Sequence, residues 1–278
     1  MSKRFLMIGA HPDDADIRFG GTAALLTAAG HQVKFVSLCN GNCGHFAMSG
    51  AELANRRYAE TQASKAVSGI TEYQVLMENS DCELVPDIEN RKKVIRIIRE
   101  FQPDVVLGHR LCDYHADHRA AAQLVQDATY LVMVPKFCPE TPIPEKTPVY
   151  GYVWDHFVDP TPFTVDAIVP IDSVMDIKCK MLDCHVSQVY EWLAWEMKAD
   201  IDHKNMSWEE KKAFLIKNWG ARYIRVANEN RDKLVELYGE AGKKVEFAEA
   251  FSFSPYGGRS GMTAADFQKF FKDCIEGK

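Results

Sequence analysis

The apolar residues of this chain fall into short blocks separated by polar, helix-patterned stretches. Lys3 to Gly9 contains the run Phe5-Leu6-Met7-Ile8, and a short apolar block of this kind predicts a strand buried on both faces. Ile17 to Ala29 predicts a helix, with Gly30 as its stop. Val33 to Leu38 predicts a second strand, which completes a βαβ unit with parallel strands and a right-handed crossover. The alternation then repeats. Ala51 to Ser68 predicts a helix, Tyr73 to Met77 a strand, Asp87 to Phe101 a helix with Val94, Ile95, Ile97 and Ile98, and Val105 to Gly108 a fourth strand.

This alternation signals a doubly wound parallel sheet. The order 3-2-1-4 sets strands one and four side by side at the switch point, where ligands bind outside the C-terminal strand ends. Further on, Arg119 to Val134 predicts a helix, and Pro135 to Pro148, with prolines at 135, 139, 142, 144 and 148, predicts an irregular loop. Val149 to Trp154 and Ala167 to Ile171 predict later strands, and Ser173 to Gln188 a helix. Ser207-Trp208-Glu209-Glu210 reads as a capping-box start, Asn228 to Gly239 as another helix, and Phe251 to Gly261 as a glycine-containing turn region. The expected fold class is α/β: a Rossmann-like parallel sheet flanked by helices, with a helical C-terminal portion, forming a single domain over 1–278.

Composition narrows the setting. Hydrophobic residues make up 46% and charged residues 26% of 278, an ordinary globular balance with enough chain for a sizeable core. A net charge of −6 argues against a nucleic-acid partner or an anionic membrane surface. No run approaches the roughly 18 apolar residues of a membrane span. The apolar run at the N-terminus is too short for a signal-peptide core. The eight cysteines are scattered without a CxxC pair. Reduced thiols and a cytoplasmic location are expected.

The candidate chemistry sits at the two strand ends that the topology brings together. Gly9-Ala10-His11-Pro12-Asp13-Asp14-Ala15-Asp16 follows strand one, and His115-Ala116-Asp117-His118 follows strand four. His11 and Asp14, three apart on a turn entering a helix, can face one point, and His118 can supply a third ligand. Two histidines and a carboxylate suit Zn²⁺, although non-haem Fe(II) uses the same set. Taken singly, either cluster could be a turn or a helix cap. Their predicted adjacency is what favours a metal site.

HPDD after a first strand, then Gly20-Gly21-Thr22, then HxDH after a later strand, resembles the PIG-L/LmbE family of metal-dependent N-deacetylases. Asn40-Gly41, Arg57 with Glu60, Asp81, His185-Val186-Ser187-Gln188 and Ala248-Glu249-Ala250-Phe251 are similar to further landmarks of that family. The resemblance implies a hydrolase that removes acetyl from an N-acetylglucosamine-type amino sugar or glycoside. It implies His11, Asp14 and His118 as metal ligands, Asp13 as general base and His115 as the cationic partner of the oxyanion or leaving group. It further implies Asp117 as a carboxylate orienting a histidine, and a small acetamido sugar as substrate. Relatives often form homo-oligomers. Asp16 departs from the glutamate common in the family and is expected as a shorter carboxylate placed behind the metal ligands.

Arg57, Asp81 and His185 are expected near the substrate. The alternatives are an Arg57–Glu60 helix-face ion pair, a turn role for Asp81 and a structural role for His185. Trp192 and Trp195 are candidates for the wall of a sugar pocket. Other readings of the whole chain are a metal-dependent amidase for a non-sugar amide and an inactive carbohydrate-binding relative.

Overall fold

The computed structural model describes residues 1–199, 201–257 and 261–277. One sheet carries β1 (Arg4–Gly9), β2 (Gln32–Ser37), β3 (Glu72–Val75), β4 (Val105–Gly108), β5 (Val149–Val153), β6 (Ala167–Pro170) and β7 (Ala248–Phe253) in the order β3-β2-β1-β4-β5-β7-β6. From β3 to β5 every pairing is parallel, so the expected order 3-2-1-4 is present. β7 extends the sheet by pairing antiparallel with both β5 and β6. Phe251 to Phe253, expected in a turn region, therefore belong to this strand; residues 258–260 of that expectation lie outside the described residues. The strand was concealed by Glu249, a carboxylate that turns out to be buried.

The sheet is covered on both sides. Along β1, Phe5 and Met7 join one core with Phe19, Phe35, Leu107, Phe251 and Phe271. Leu6 and Ile8 point the other way, to Val94, Ile98, Val106 and Leu124. Alternate side chains of one strand thus feed two cores, which is why its apolar run is unbroken. Each large side chain so buried contributes about 1.5–3 kcal/mol. On the first face lie α1 (Asp14–Ala28), α5 (Met175–Cys184) and α10 (Ala264–Glu276); on the second lie α3 (Ile88–Phe101) and α4 (Ala116–Leu131). α2 (Gly50–Ser68) packs against α5.

Two helices begin about three residues earlier than predicted. α1 starts at Asp14 and α4 at Ala116, so the charged residues expected in the preceding turns lie in first helical turns. Carboxylates there are favoured by the helix dipole. The helix predicted over Ser173–Gln188 is interrupted. α5 ends at Cys184, and after His185 a π-helical segment, Ser187–Trp192, leads into α6 (Leu193–Glu196). α7 (Trp208–Leu215) has the predicted capping box at Ser207 and runs through a second π-helical segment, Ile216–Gly220, into α8 (Ala221–Glu229) and then α9 (Arg231–Tyr238). No helix among the described residues is long and apolar enough to cross a membrane, and all eight cysteines are free.

A buried ion pair ties α1 to the sheet. Glu249 on β7 accepts the N–H groups of Gly21 (3.0 Å) and Thr22 (2.8 Å), and Lys178 on α5 donates to it at 2.5 Å. Lys178 also donates to the Ile17 carbonyl (3.0 Å), which Tyr223 reaches as well (2.7 Å). Glu249→Ala is expected to lower the unfolding free energy by about 3–5 kcal/mol, because it strands the Lys178 ammonium and two N–H donors in the interior. Denaturant unfolding monitored by circular dichroism measures this. A loss below about 1 kcal/mol would show that the pair does not anchor α1.

Candidate metal centre

The turn after β1 is closed by one carboxylate. Asp14 Oδ2 accepts the N–H groups of Ala10 (2.9 Å) and His11 (2.8 Å) and lies 3.2 Å from His109 Nε2. Residue 9 must be glycine for this closure, since a Cβ there would stand 2.6 Å from the Asp14 Cβ. Asp13 occupies the N-cap position of α1 but makes no side-chain cap. Its carboxylate lies instead 3.1 Å from Arg57 Nη2.

The segment after β4 meets this turn, as the strand order requires. His115 caps α4, with Nδ1 accepting the Asp117 N–H at 3.1 Å. His118, one turn into the helix, places Nε2 3.4 Å from Asp14 Oδ1 and 3.2 Å from His11 Nδ1. His11 Nδ1 is 3.6 Å from Asp14 Oδ2. Donors bonded tetrahedrally to Zn²⁺ at 2.0–2.2 Å stand about 3.3–3.6 Å apart. The two nitrogens, each with its nearer Asp14 oxygen, have spacings that fit that requirement.

Carboxylates back both imidazoles. His118 Nδ1 lies 3.0 Å from Asp113. His11 Nε2 is hydrogen-bonded to Asp117 (3.2 Å) and lies 2.8 Å from Asp81. Asp117 in turn accepts the N–H groups of Cys82 (2.6 Å) and Leu84 (3.2 Å). Cys82 adopts φ 68°, an uncommon backbone conformation for a residue with a side chain. These are the outer contacts that fix ring orientation at metal-binding histidines.

The electrostatics suit a cation. Burial works against charge on His11, but Asp117, Asp81 and Asp14 outweigh it and raise its pKa to about 10. Burial likewise opposes ionisation of Asp81, and His11 and Arg57 hold its pKa down at about 2. Asp14 lies well below the usual carboxylate range despite its burial, because His118, His109 and His11 surround it. Burial and the neighbouring His118 depress His109 to about 4. Burial also lowers His115, together with His11 and His118.

His11, Asp13, Asp14, Arg57, Asp81, His115 and His118 line one cleft of about 380 Å³, with Trp192 in its wall. Arg57 does not pair with Glu60, which binds Arg56 (3.3 Å) and the Ser187 N–H (2.8 Å). Arg57 passes over Gly41 (φ +75°), where a Cβ would stand 2.5 Å from its Nη1. Asp81 lines the cleft and also meets His11, with Oδ1 2.8 Å from its Nε2.

Two expectations are corrected. His185 is fully buried, away from the cleft, with Nε2 3.1 Å from Asp16. Asp16 also accepts from Tyr73 (2.8 Å) and Ser64, and makes no hydrogen bond or ion pair with a candidate ligand among the described residues. The first turn of α1 rotates Asp16 away from Asp14, into the contact with α2 and α5. Trp195 is exposed, stacked between Trp192 and Phe46. His45 contacts Glu191 at 2.9 Å.

His109 and Asp113 were missed. His109 touches Asp14 and stacks on His118 with centroids 4.2 Å apart, and Asp113 lies 3.0 Å from His118. Both lie in the polar segment that the crevice rule points to, which was the available signal.

Residues 6–129 match the family described as PIG-L: GlcNAc-PI de-N-acetylase. The diacetylchitobiose deacetylase of Thermococcus kodakarensis is 33% identical over 205 residues, spanning 70% of this chain and 74% of that protein. The chain belongs to the PIG-L family. The chain is also similar to the 4-oxalmesaconate hydratase of Pseudomonas putida, 27% identical over 198 residues, 68% of this chain and 76% of that protein. The N,N'-diacetylchitobiose deacetylase structure from Pyrococcus horikoshii shares the PIG-L fold, with a TM-score of 0.70 and 24% identity over 91% of this chain and 84% of that chain.

The corrected position of Asp16 yields a test. Asp16→Ala should destabilise the protein by about 3–5 kcal/mol, since it leaves His185 and Tyr73 buried without their common partner. Thermal and denaturant melts measure it, and a near-neutral result would remove Asp16 from the packing role.

Proposed function

We propose that the protein is a metal-dependent N-deacetylase acting on an N-acetylated amino sugar or its glycoside. The observation that carries this reading is the convergence of His11 Nδ1, His118 Nε2 and the Asp14 carboxylate in the cleft that also holds Asp13: the two nitrogens are 3.2 Å apart, Asp14 Oδ2 is 3.6 Å from His11 and Asp14 Oδ1 is 3.4 Å from His118. These three would hold the cation; the set suits Zn²⁺ and also Fe(II). A divalent cation in this place supplies a water of lowered pKa and a polarised amide carbonyl.

The remaining work falls to the chain. Asp13, beside the ligands but held by Arg57, accepts the proton of the attacking water. His115 uses Nδ1 to accept the Asp117 N–H, which leaves its proton on Nε2. That Nε2–H donates a hydrogen bond to the developing oxyanion, and the proton held by Asp13 passes to the departing nitrogen as the C–N bond breaks. Burial and the neighbouring His11 and His118 hold the His115 pKa below the usual imidazole value. The products are acetate and a free amine. The free cysteines suit a reducing compartment, and a cytoplasmic location is part of the proposal.

The 27% identity to a hydratase supports a second reading, in which the same cleft adds water to an unsaturated carboxylate. Acetate release separates the two. Chelation should abolish acetate release from a panel of acetamido sugars, and Zn²⁺ or Fe²⁺ should restore it. Asp13→Asn should keep the metal and lower kcat by about 10²–10⁴-fold. Unchanged turnover in D13N would refute the assigned base. Hydration of an unsaturated carboxylate with no acetate from any acetamido sugar would favour the second reading. Asp113→Ala should weaken metal affinity by about 10–100-fold, read by competition with a chelator, because His118 loses the carboxylate behind it.

A further inference from the structure

Two arginines in the cleft have no carboxylate partner. Arg222 on α8 is half-buried, lines the cleft and makes no hydrogen bond or ion pair among the described residues. Arg18 on α1, one turn beyond Asp14, lines the same cleft. Its one hydrogen bond among the described residues runs from Nη1 to the Trp154 carbonyl, at 2.7 Å. Other arginines of the chain are matched differently. Arg56, Arg57, Arg91 and Arg110 each face a carboxylate. Arg99 is saturated by loop carbonyls, including those of Val132, Val134 and Cys138.

The unmatched pair is an unfavourable arrangement in the free protein. Burial pushes the Arg222 pKa down and the Arg18 charge adds to this, while Tyr223 and Asp14 oppose. Like charges gathered in a partly enclosed space are relieved by an anion, and guanidinium groups match carboxylate and phosphate oxygens in paired hydrogen bonds. Glu196 lines the cleft but forms no ion pair with either arginine. The cleft volume of about 380 Å³ is in the range that admits a sugar with an appended group.

We infer that Arg18 and Arg222 form an anion-recognition subsite, and that the substrate carries a carboxylate or phosphate group that reaches it. The inference rests on the deacetylase reading for the reacting amide, but the subsite itself does not depend on that chemistry.

The test compares kcat/KM of the metal-loaded enzyme on N-acetylglucosamine, its 1- and 6-phosphates, and N-acetylmuramic acid, which carries a carboxylate on the same ring. At least one anionic compound should exceed the neutral parent by roughly 10- to 100-fold, mainly through KM. Arg222→Gln should collapse that ratio, and Arg222→Lys, which keeps charge without the paired geometry, should retain part of it. If R222Q does not fold, R222K and Arg18→Gln carry the same comparison. No anionic preference in the wild type, or a preference that the variants leave intact, overturns the subsite. If no acetamido sugar is turned over, the deacetylase reading fails and the subsite is judged by calorimetry with inorganic phosphate and malonate. Saturable binding to the wild type that R222Q or R18Q abolishes at unchanged metal content supports it. Absent binding, or binding that the variants do not alter, overturns it.

Discussion

The candidate centre depends on the Asp14 carboxylate. One side chain closes the turn after β1, meets His109 from the end of β4 and presents its second oxygen to His118. The geometry is possible because β1 and β4 are hydrogen-bonded neighbours, with Ile8 opposite Gly108. It also needs residue 9 to lack a side chain. A carboxylate committed to two N–H groups and flanked by imidazoles has little freedom to turn, so the cleft has one wall fixed before any ligand arrives. The carboxylates behind His11 and His118 extend this fixity outward by one layer.

The fold was legible wherever one kind of periodicity ran without interruption. The parallel strands from β1 to β5 are short apolar blocks between polar segments, and their alternation with helices implied both the order and the crevice. The convergence of His11, Asp14 and His118 followed from that topology. What escaped had specific physical causes. β7 carries a buried glutamate whose partners come from α1 and α5, a pairing with no local signature. α1 and α4 begin inside polar clusters because acidic residues are favoured in first helical turns, and such clusters resemble turns in a linear reading. Asp16 and His185 were placed at the site by resemblance, whereas helical rotation directs Asp16 away from it. Arg222 gave no local sign at all, since only the packing of α8 against the sheet brings it to the cleft.

The molecule divides its buried charges by purpose. Around Asp16 and Glu249, each carboxylate meets histidine, lysine, hydroxyl or N–H partners within the interior, and the effect is to bind helices to one another and to the sheet. Around His11 and His118, carboxylates surround imidazoles whose other nitrogens face each other at 3.2 Å. That second arrangement suits a small cation far better than it suits two rings alone.

The two π-helical segments give the cleft a further property. Gln188 and Trp192 stand on one, Trp219 stands on the other, and all three line the cavity. A π turn holds one residue more than an α turn, so the surplus is stored within the helix and need not be absorbed by a loop. Loss of one residue from Ile216–Gly220, which runs unbroken between α7 and α8, would restore ordinary pitch while leaving the helices on both sides nearly in phase. The far wall can therefore change its length by single residues without disturbing the wall built on Asp14. Diversity of substrate shape in such a scaffold can arise through insertion and deletion as readily as through substitution.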